Sequence, residues 1–188
     1  KHVTSNKLEI LLKCLVPKMS DYLSIESVSK KLSKQDITFE FLPEVDSTND
    51  YLKRKVLVGA VCGPYAVVAE KQVKGKGTKG RTWVDDSESC LKFSMVVEHT
   101  GSTRDLMTLS PLLAVNIAEE FSKLNSKVKV KWPNDLMTSE GKLSGILIET
   151  VKYAGSVYLV FGIGVNLFPN CELEEQINRN IAFLFEEH

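Results

Sequence analysis

The sequence predicts an α+β protein with a mixed, largely antiparallel central sheet flanked by helices. Predicted strands outnumber predicted helices, and several strands follow one another with no helix between them. A doubly wound parallel sheet requires a helix between successive strands, so this order of elements excludes it. The 188 residues, 43% of them hydrophobic, are enough for one sizeable domain with a core of its own.

The chain begins with two predicted helices and a predicted strand. Leucines at helical spacing predict an amphipathic helix over residues 5–16, and residues 24–32 predict a second helix. Apolar and polar side chains alternate over residues 37–41, which predicts a half-buried strand ending at Pro43.

A polar turn then leads into a third predicted helix. Ser47 is the expected N-cap, and Asp50 lies in the capping-box position three residues later. Residues 65–70 and 90–98 predict strands on either side of a glycine-rich segment.

The second half is predicted to hold a helix, a short strand, a long hairpin and a last helix. Ser110 followed by proline is typical of a helix start, and residues 127–132 alternate as in a strand. Apolar runs at residues 142–151 and 156–167 predict an antiparallel hairpin, and residues 173–185 predict a helix.

The charge balance excludes a global attraction to nucleic acid or to an anionic membrane. Lys plus Arg number 24, as do Asp plus Glu, so any basic site must be local. One such cluster lies in the glycine-rich segment: Lys71, Lys74, Lys76, Lys79 and Arg81.

Cysteine and histidine spacing excludes several classes of site. The four cysteines are far apart with no C-x-x-C, which argues against a zinc site or a disulfide scaffold. The three histidines are scattered, which argues against a histidine triad or metal site. No apolar run is long enough to span a membrane, and we expect a soluble, cytoplasmic protein.

The segment EKQVKGKGTKGRTWVDD, at residues 70–86, fits two nucleotide-binding motifs at once. Its glycines satisfy G-x-G-x-x-G, and it differs from a Walker A motif by Arg81 in place of lysine. Both motifs require a following helix, whereas Trp83 and a predicted strand follow here. A solvated basic hairpin is the alternative. Glycines, clustered cations and an aromatic ring together favour a loop that grips a phosphate or carboxylate ligand with a flat ring.

Two further clusters place polar residues at strand ends. KWPND, at residues 131–135, presents polar groups on a stiff turn, either as a plain Asx turn or as a binding site. Lys142 and Gly145 follow within GKLSGILIE. Asn166 ends GIGVN, either as a turn residue or as a group that reaches a nucleotide.

DSTN, GKGTKGRTW, KWPND with GKLSGILIE, and GIGVN resemble, in this order, the motifs of the biotin protein ligases, also called holocarboxylase synthetases. The resemblance covers about residues 37–167. It implies a catalytic fold like that of biotin and lipoate ligases and of class II aminoacyl-tRNA synthetases. It also implies that biotin and ATP form biotinyl-5'-AMP, from which biotin passes to a lysine of a carboxylase's biotin acceptor domain.

The resemblance implies roles for individual residues. Lys142 and Arg81 are expected to be catalytic, Trp83 to stack on adenine, and Asp135 to bind Mg²⁺. The expected biotin contacts are Ser47, Thr48, Asn49, Gln72, Gly75, Lys76, Gly77, Thr78, Lys142 and Gly145. The expected ATP contacts are Lys76, Arg81, Trp83, Lys131, Asn134 and Asn166.

Some positions depart from the family pattern. Thr78 stands where the family commonly has arginine, so one cation expected near the adenylate is missing. We expect an N-terminal helical extension at residues 1–20 without a helix-turn-helix, and a catalytic domain at residues 21–188 without the family's small C-terminal β-domain. The expected partners are biotin, ATP and an acceptor domain, with no nucleic acid and no membrane.

Two alternatives to a biotin ligase stay open at this point. A lipoate or octanoate ligase shares the fold but lacks the glycine-rich loop followed by Arg and Trp. A non-catalytic module could hold biotin or the acceptor domain without turnover, which the uncharged Thr78 would fit.

Overall fold

A computed structural model describes residues 25–61, 63–84, 89–100, 106–125, 127–177 and 180–186. The helix predicted at residues 5–16, the extension at residues 1–20 and two of the cysteines, Cys14 and Cys62, lie outside the described residues.

Helices and strands alternate irregularly along the chain, as an α+β protein requires. Their bounds are α1 (Ile25–Ser33), β1 (Thr38–Val45), α2 (Thr48–Leu57), β2 (Tyr65–Gln72), β3 (Cys90–His99), α3 (Leu106–Ser122), β4 (Lys129–Lys131), β5 (Asp135–Met137), β6 (Lys142–Tyr153), β7 (Ser156–Asn166) and α4 (Cys171–Gln176).

The strands form a seven-stranded sheet in the order β1-β2-β3-β7-β6-β5-β4. Only β1 and β2 are parallel, and every other neighbouring pair is antiparallel. The predicted mixed, largely antiparallel sheet is therefore confirmed. The predicted long hairpin is also confirmed, with a turn in which Ala154 and Gly155 both have positive φ.

The two faces of the sheet are covered differently. On one face, Phe93 and Met95 of β3 pack with Ile117 and Phe121 of α3 in the larger core. On the other face, α2 covers a smaller apolar cluster that includes Val96 of β3. Since successive side chains of a strand point to opposite faces, the even-numbered residues of β3 lie on the α2 face.

The prediction that the first strand ends at Pro43 is wrong. β1 continues to Val45, and the pairing with β2 resumes beyond the proline at Glu44 and Lys71. β1 is an edge strand and has a neighbouring strand on one side only. Pro43 lacks an N–H group, and on the open side of the sheet there is no inter-strand hydrogen bond for it to interrupt.

The predicted start of α3 at Ser110 is also wrong, because the helix begins at Leu106 and contains Pro111. Leu106 and Leu109 pack against the larger core, and this contact extends the helix upstream of the proline. Pro111 has no N–H group to donate to the carbonyl of Met107, four residues earlier in the helix. Met107 is 87% exposed, so this carbonyl belongs to a surface residue.

The helix predicted over residues 173–185 ends at Gln176. Beyond it, Ala182 donates its N–H to the carbonyl of Lys142 at 2.9 Å, and Leu184 donates to the carbonyl of Asn166 at 3.0 Å. Ala182 and Leu184 are buried, while Ile181, Phe183 and Phe185 are half-buried. Burial therefore repeats every two residues, as in an extended chain. This segment therefore lies along the ends of β6 and β7.

Asp46 joins three segments next to the start of α2. Arg54 donates two hydrogen bonds to its carboxylate, at 2.7 and 2.8 Å, and Ser47 donates its N–H at 2.8 Å. The carbonyl of Asp46 accepts from the N–H of Lys74 at 2.8 Å. The Arg54 guanidinium holds the pKa of the Asp46 carboxyl at about 2, below its ordinary value of 3.8.

Replacing Asp46 with Asn should destabilise the protein by about 1 kcal/mol at pH 7, since a paired carboxylate at a partly exposed site contributes little more. A carboxyl group whose pKa is lower in the folded than in the unfolded state stabilises the folded protein at pH values above its unfolded-state pKa. This contribution is lost as the pH falls through the folded-state pKa. The difference between the native chain and Asp46→Asn should therefore shrink from pH 4 to pH 2 in urea unfolding. The control, Glu44→Gln, removes a carboxylate that is 58% exposed and should change little.

Candidate active site

A cleft opens on the α2 face of the sheet. It lies where β2, β3, β6 and β7 extend past the apolar cluster under α2. Most of the predicted site residues line it: Ser47, Thr48, Asn49, Gln72, Lys76, Gly77, Thr78, Trp83, Asn134, Lys142 and Gly145. Gly75, Arg81, Lys131, Asp135 and Asn166 do not.

The start of α2 forms a buried polar wall at one end of the cleft. Thr48 donates both its N–H, at 2.9 Å, and its hydroxyl, at 3.0 Å, to the side-chain oxygen of Gln72. Asn49 donates to Glu149 at 2.8 Å. Ser47 is the N-cap of α2 but makes no side-chain capping bond, so the predicted capping box with Asp50 is wrong.

Ser94 of β3 completes this wall, and sequence reasoning did not single it out. Its hydroxyl lies 2.7 Å from the Thr48 hydroxyl and 2.6 Å from the Asn49 side-chain oxygen, and can donate to either. The available signal was two polar residues, Lys92 and Ser94, at alternate positions in an otherwise apolar run. Alternation places both on one face of the strand.

The glycine-rich segment is a narrow hairpin over the cleft. Trp83 donates its N–H to the Gly75 carbonyl at 3.0 Å, and Gly77 donates to the Arg81 carbonyl at 2.8 Å. A Cβ on Gly75 would lie 2.5 Å from the Trp83 carbonyl oxygen, so the close pairing requires glycine. The next described strand or α-helix is β3, so the described residues after this segment contain no α-helix of the kind that both nucleotide motifs require.

The cations of the hairpin line two surfaces that share Lys76. Lys76 and Thr78 line the cleft. Lys79, which has a φ of 57°, and Arg81 do not line it; with Lys76 and Glu149 they line an open concavity that we call the outer concavity.

Asp50 holds Lys76 at the cleft through an ion pair of 2.5 Å, and it also pairs with Lys53 at 2.8 Å. Burial opposes ionisation of Asp50, but hydrogen bonds from Lys53 and Lys76 outweigh it and lower the pKa of its carboxyl. Lys76 is thus kept beside the cleft by a carboxylate that stays charged at neutral pH.

Glycines on the central strands form the floor of the cleft. A Cβ on Gly164 would lie 2.5 Å from the Trp83 ring, and one on Gly145 would lie 3.2 Å from it. A Cβ on Gly162 would lie 2.4 Å from the side-chain oxygen of Asn49. The indole and the amide therefore rest directly on the backbone of the sheet. The Trp83 indole nitrogen is buried and has no hydrogen-bond partner in the described part of the chain.

Lys142 lies at the other end of the floor. Its ammonium is 2.5 Å from the Asp135 carboxylate and 5.9 Å from the centre of the Trp83 ring. It also lines a second concavity, with Arg81, Lys131, Asp135 and Asn180 among its neighbours. Lys142 thus sits at the junction between the cleft and this second concavity, which we call the basic concavity.

Two predicted nucleotide contacts hold the backbone around Lys142. Asn134 donates its amide to the Ile146 carbonyl at 2.9 Å and fixes the KWPND turn against β6. Asn166, which is 3% exposed, donates to the carbonyls of Lys142 and Ala182 at 3.0 and 3.2 Å. The amide of Asn166 therefore lies behind Lys142 and does not face the cleft.

Within the described ranges, no group of three or more His, Cys, Asp or Glu side chains is arranged to hold a metal ion. No helix in the same part of the chain is long and apolar enough to cross a membrane.

The profile of the Biotin/lipoate A/B protein ligase family matches residues 41–166, two thirds of the chain, including most of the cleft. The chain belongs to this family. Among curated relatives, the bifunctional ligase/repressor BirA of Salmonella typhimurium is 33% identical over 91% of this chain and 53% of its own length. The biotin-[acetyl-CoA-carboxylase] ligase of Mycobacterium tuberculosis is 29% identical over 68% of this chain and 48% of its own.

Solved structures of family members have the same fold. The Aquifex aeolicus biotin protein ligase in complex with biotin and ATP has a TM-score of 0.61 and 30% identity, over 78% of this chain and 59% of that one. The Leishmania major biotin protein ligase with biotin has a TM-score of 0.60 and 26% identity, over 79% and 62%. The predicted ligase-like fold is thereby confirmed. This chain spans about half the length of the curated relatives it matches.

Replacing Gly164 with Ala should displace the Trp83 indole, because the new Cβ would overlap the ring at 2.5 Å. We expect a loss of about 1–3 kcal/mol in the free energy of unfolding and a changed Trp83 emission spectrum. The measurement uses a Trp132→Phe background, since Trp132 is 74% exposed and its emission would overlap. Gly63→Ala is the control, because a Cβ there meets no atom within 4 Å. An unshifted spectrum in Gly164→Ala would contradict the placement of the ring.

Proposed function

We propose that this chain is the catalytic part of an ATP-dependent biotin protein ligase. It would activate biotin as biotinyl-5'-AMP and transfer it to a lysine of a biotin acceptor domain of a carboxylase. The position of Lys142, between a cleft with a polar end and a basic concavity, carries this proposal. The named activities of the relatives and their complexes with biotin and ATP support it.

Biotin would lie in the cleft with its bicyclic ring at the polar wall. Thr48, Asn49 and Gln72 offer fixed donors and acceptors there, as a cyclic urea requires. The valeryl chain would run along the edge of the Trp83 indole, and the carboxylate would reach Lys76 and Lys142. An octanoate or lipoate chain has no polar group for the wall, so this arrangement favours biotin.

ATP would place its phosphates in the basic concavity, where Arg81 and Lys131 supply two positive charges. The Trp83 ring, whose centre is 5.9 Å from the Lys142 ammonium, would contact the adenine or its ribose. Asp135 is a single carboxylate beside Lys142, and magnesium commonly binds through one or two carboxylates together with substrate phosphates. Mg²⁺ would therefore enter as part of the MgATP substrate.

In the first step, an oxygen of the biotin carboxylate attacks the α-phosphorus, and pyrophosphate leaves. Negative charge gathers between the carboxylate and the α-phosphate, which is where the Lys142 ammonium lies. Asp135 holds that ammonium before ATP arrives, so little reorganisation is needed in the transition state. The protein supplies position and charge but no nucleophile.

In the second step, the neutral amine of an acceptor lysine attacks the acyl carbon of biotinyl-5'-AMP. An amide forms, AMP leaves with the electron pair of the broken anhydride bond, and the amine loses a proton. A cytoplasmic location, where biotin acceptor domains and ATP are both available, belongs to the same proposal.

Replacing Lys142 with Ala should lower the rate of biotin-dependent ATP–pyrophosphate exchange by about 10²–10³, as for the loss of one transition-state donor. Biotin affinity should fall much less, because the charge that Lys142 meets develops mainly during reaction. Lys152→Ala, an exposed lysine on the same strand, is the matched control. Near-normal exchange in Lys142→Ala would show that another group stabilises the charge.

Replacing Thr78 with Arg should slow the release of pre-formed biotinyl-5'-AMP, because Thr78 lines the cleft and the new cation can reach the adenylate phosphate. The release rate should fall about tenfold for each ~1.4 kcal/mol gained. Lys79→Ala should leave release unchanged, because Lys79 lines the outer concavity. Stopped-flow displacement by excess biotin measures both rates. Equal release from the native chain and Thr78→Arg would mean that position 78 turns away from the adenylate when ligand is bound.

A further inference from the structure

Lys92 is the charged residue that the structure buries most completely. Among the side chains that the structure describes, it is the one Lys, Arg, Asp or Glu in the buried set, with 1% exposed. A buried ammonium is costly unless its N–H groups find acceptors. Since an ammonium has three donors, a protein partner can occupy one and a ligand another.

The direction of the Lys92 side chain follows from its neighbours in β3. Phe93 points into the core beneath α3. Ser94 points to the opposite face, where it contacts Thr48 and Asn49 of the polar wall. Alternation therefore places Lys92 on the same face as Ser94, and Lys92 lines the cleft.

Sheet register fixes where along the cleft Lys92 lies. It is paired with Gly164 of β7, which in turn is paired with Gly145 of β6. The Trp83 ring rests on these two glycines. Lys92 thus lies in the same row as these glycines, two residues along β3 from Ser94 at the polar wall. Lys142 lies three residues along β6 from Gly145, on the side away from that wall, so Lys92 is the nearer of the two lysines to the ring end of the ligand.

We propose that Lys92 determines specificity by donating a hydrogen bond to the ureido carbonyl oxygen of biotin. The proposal rests on the proposed function and assigns to Lys92 a contact at the ring end of that ligand. A urea oxygen beside the ammonium can accept a charge-assisted hydrogen bond, whereas an alkyl or dithiolane end offers no such acceptor. Sites that rely on such a bond reject analogues that lack the acceptor more strongly than apolar pockets do.

The test measures dissociation constants for biotin, for 2-thiobiotin, in which sulfur replaces the ureido oxygen, and for octanoate. The native chain should prefer biotin to 2-thiobiotin. Lys92→Met should weaken biotin binding by about tenfold to a hundredfold. The same variant should leave octanoate binding unchanged or tighter and should lose the preference for the oxygen analogue. Lys71→Met, an exposed lysine that is 55% accessible, is the control.

Equal affinity of the native chain for biotin and 2-thiobiotin would overturn the proposal. Because this measurement needs no substitution, the proposal stays testable even if Lys92→Met does not fold. Lys92→Gln, a neutral donor, is the second variant and should keep part of the preference. An unchanged biotin-to-octanoate ratio in Lys92→Met or Lys92→Gln also overturns it. The proposed function fails separately, if the native chain forms no adenylate from biotin and ATP.

Discussion

The direct contact of Trp83 and Asn49 with glycine backbone is the constraint on which the rest of the site depends. At Gly145, Gly162 and Gly164 the sheet has no side chains, and an added Cβ would fall within 2.4 to 3.2 Å of the atoms that now lie there. That space holds the Trp83 indole and the Asn49 amide, which line the cleft. A sheet with ordinary β-branched residues at these positions could hold neither side chain where it now lies.

Each lysine that we assign to the substrate carboxylate has a carboxylate partner on a neighbouring element. Asp50 of α2 holds Lys76, and Asp135 of β5 holds Lys142. Such pairs prevent the cations from repelling one another while the cleft is empty, and they keep both side chains close to the cleft. A ligand carboxylate then competes with Asp50 and Asp135 for the two lysines, so binding exchanges one ion pair for another. Because the lysine side chains are already ordered, binding costs little side-chain conformational entropy.

Local patterns in the sequence were sufficient for most of the fold. Apolar runs predicted the strands of the hairpin, and the resemblance of the polar motifs to a family predicted most of the residues that line the cleft. Errors arose where tertiary contacts override local signals: Pro43 on an open edge, Pro111 within a helix held by Leu106, and the extended segment around Ala182 and Leu184. The polar alternation of Lys92 and Ser94 was a local signal that was not used, whereas the orientation of Asn166 depends on register between strands distant in sequence, which no local pattern contains.

Trp83 belongs to two parts of the site at once. Its backbone closes the glycine hairpin on Gly75, while its ring covers Gly164 and Gly145 on the sheet. The hairpin therefore cannot lift without uncovering the floor of the cleft, so opening of the hairpin and exposure of Gly164 and Gly145 are one event. A substitution that weakens either contact of Trp83, with Gly75 or with Gly164, would accordingly loosen the other.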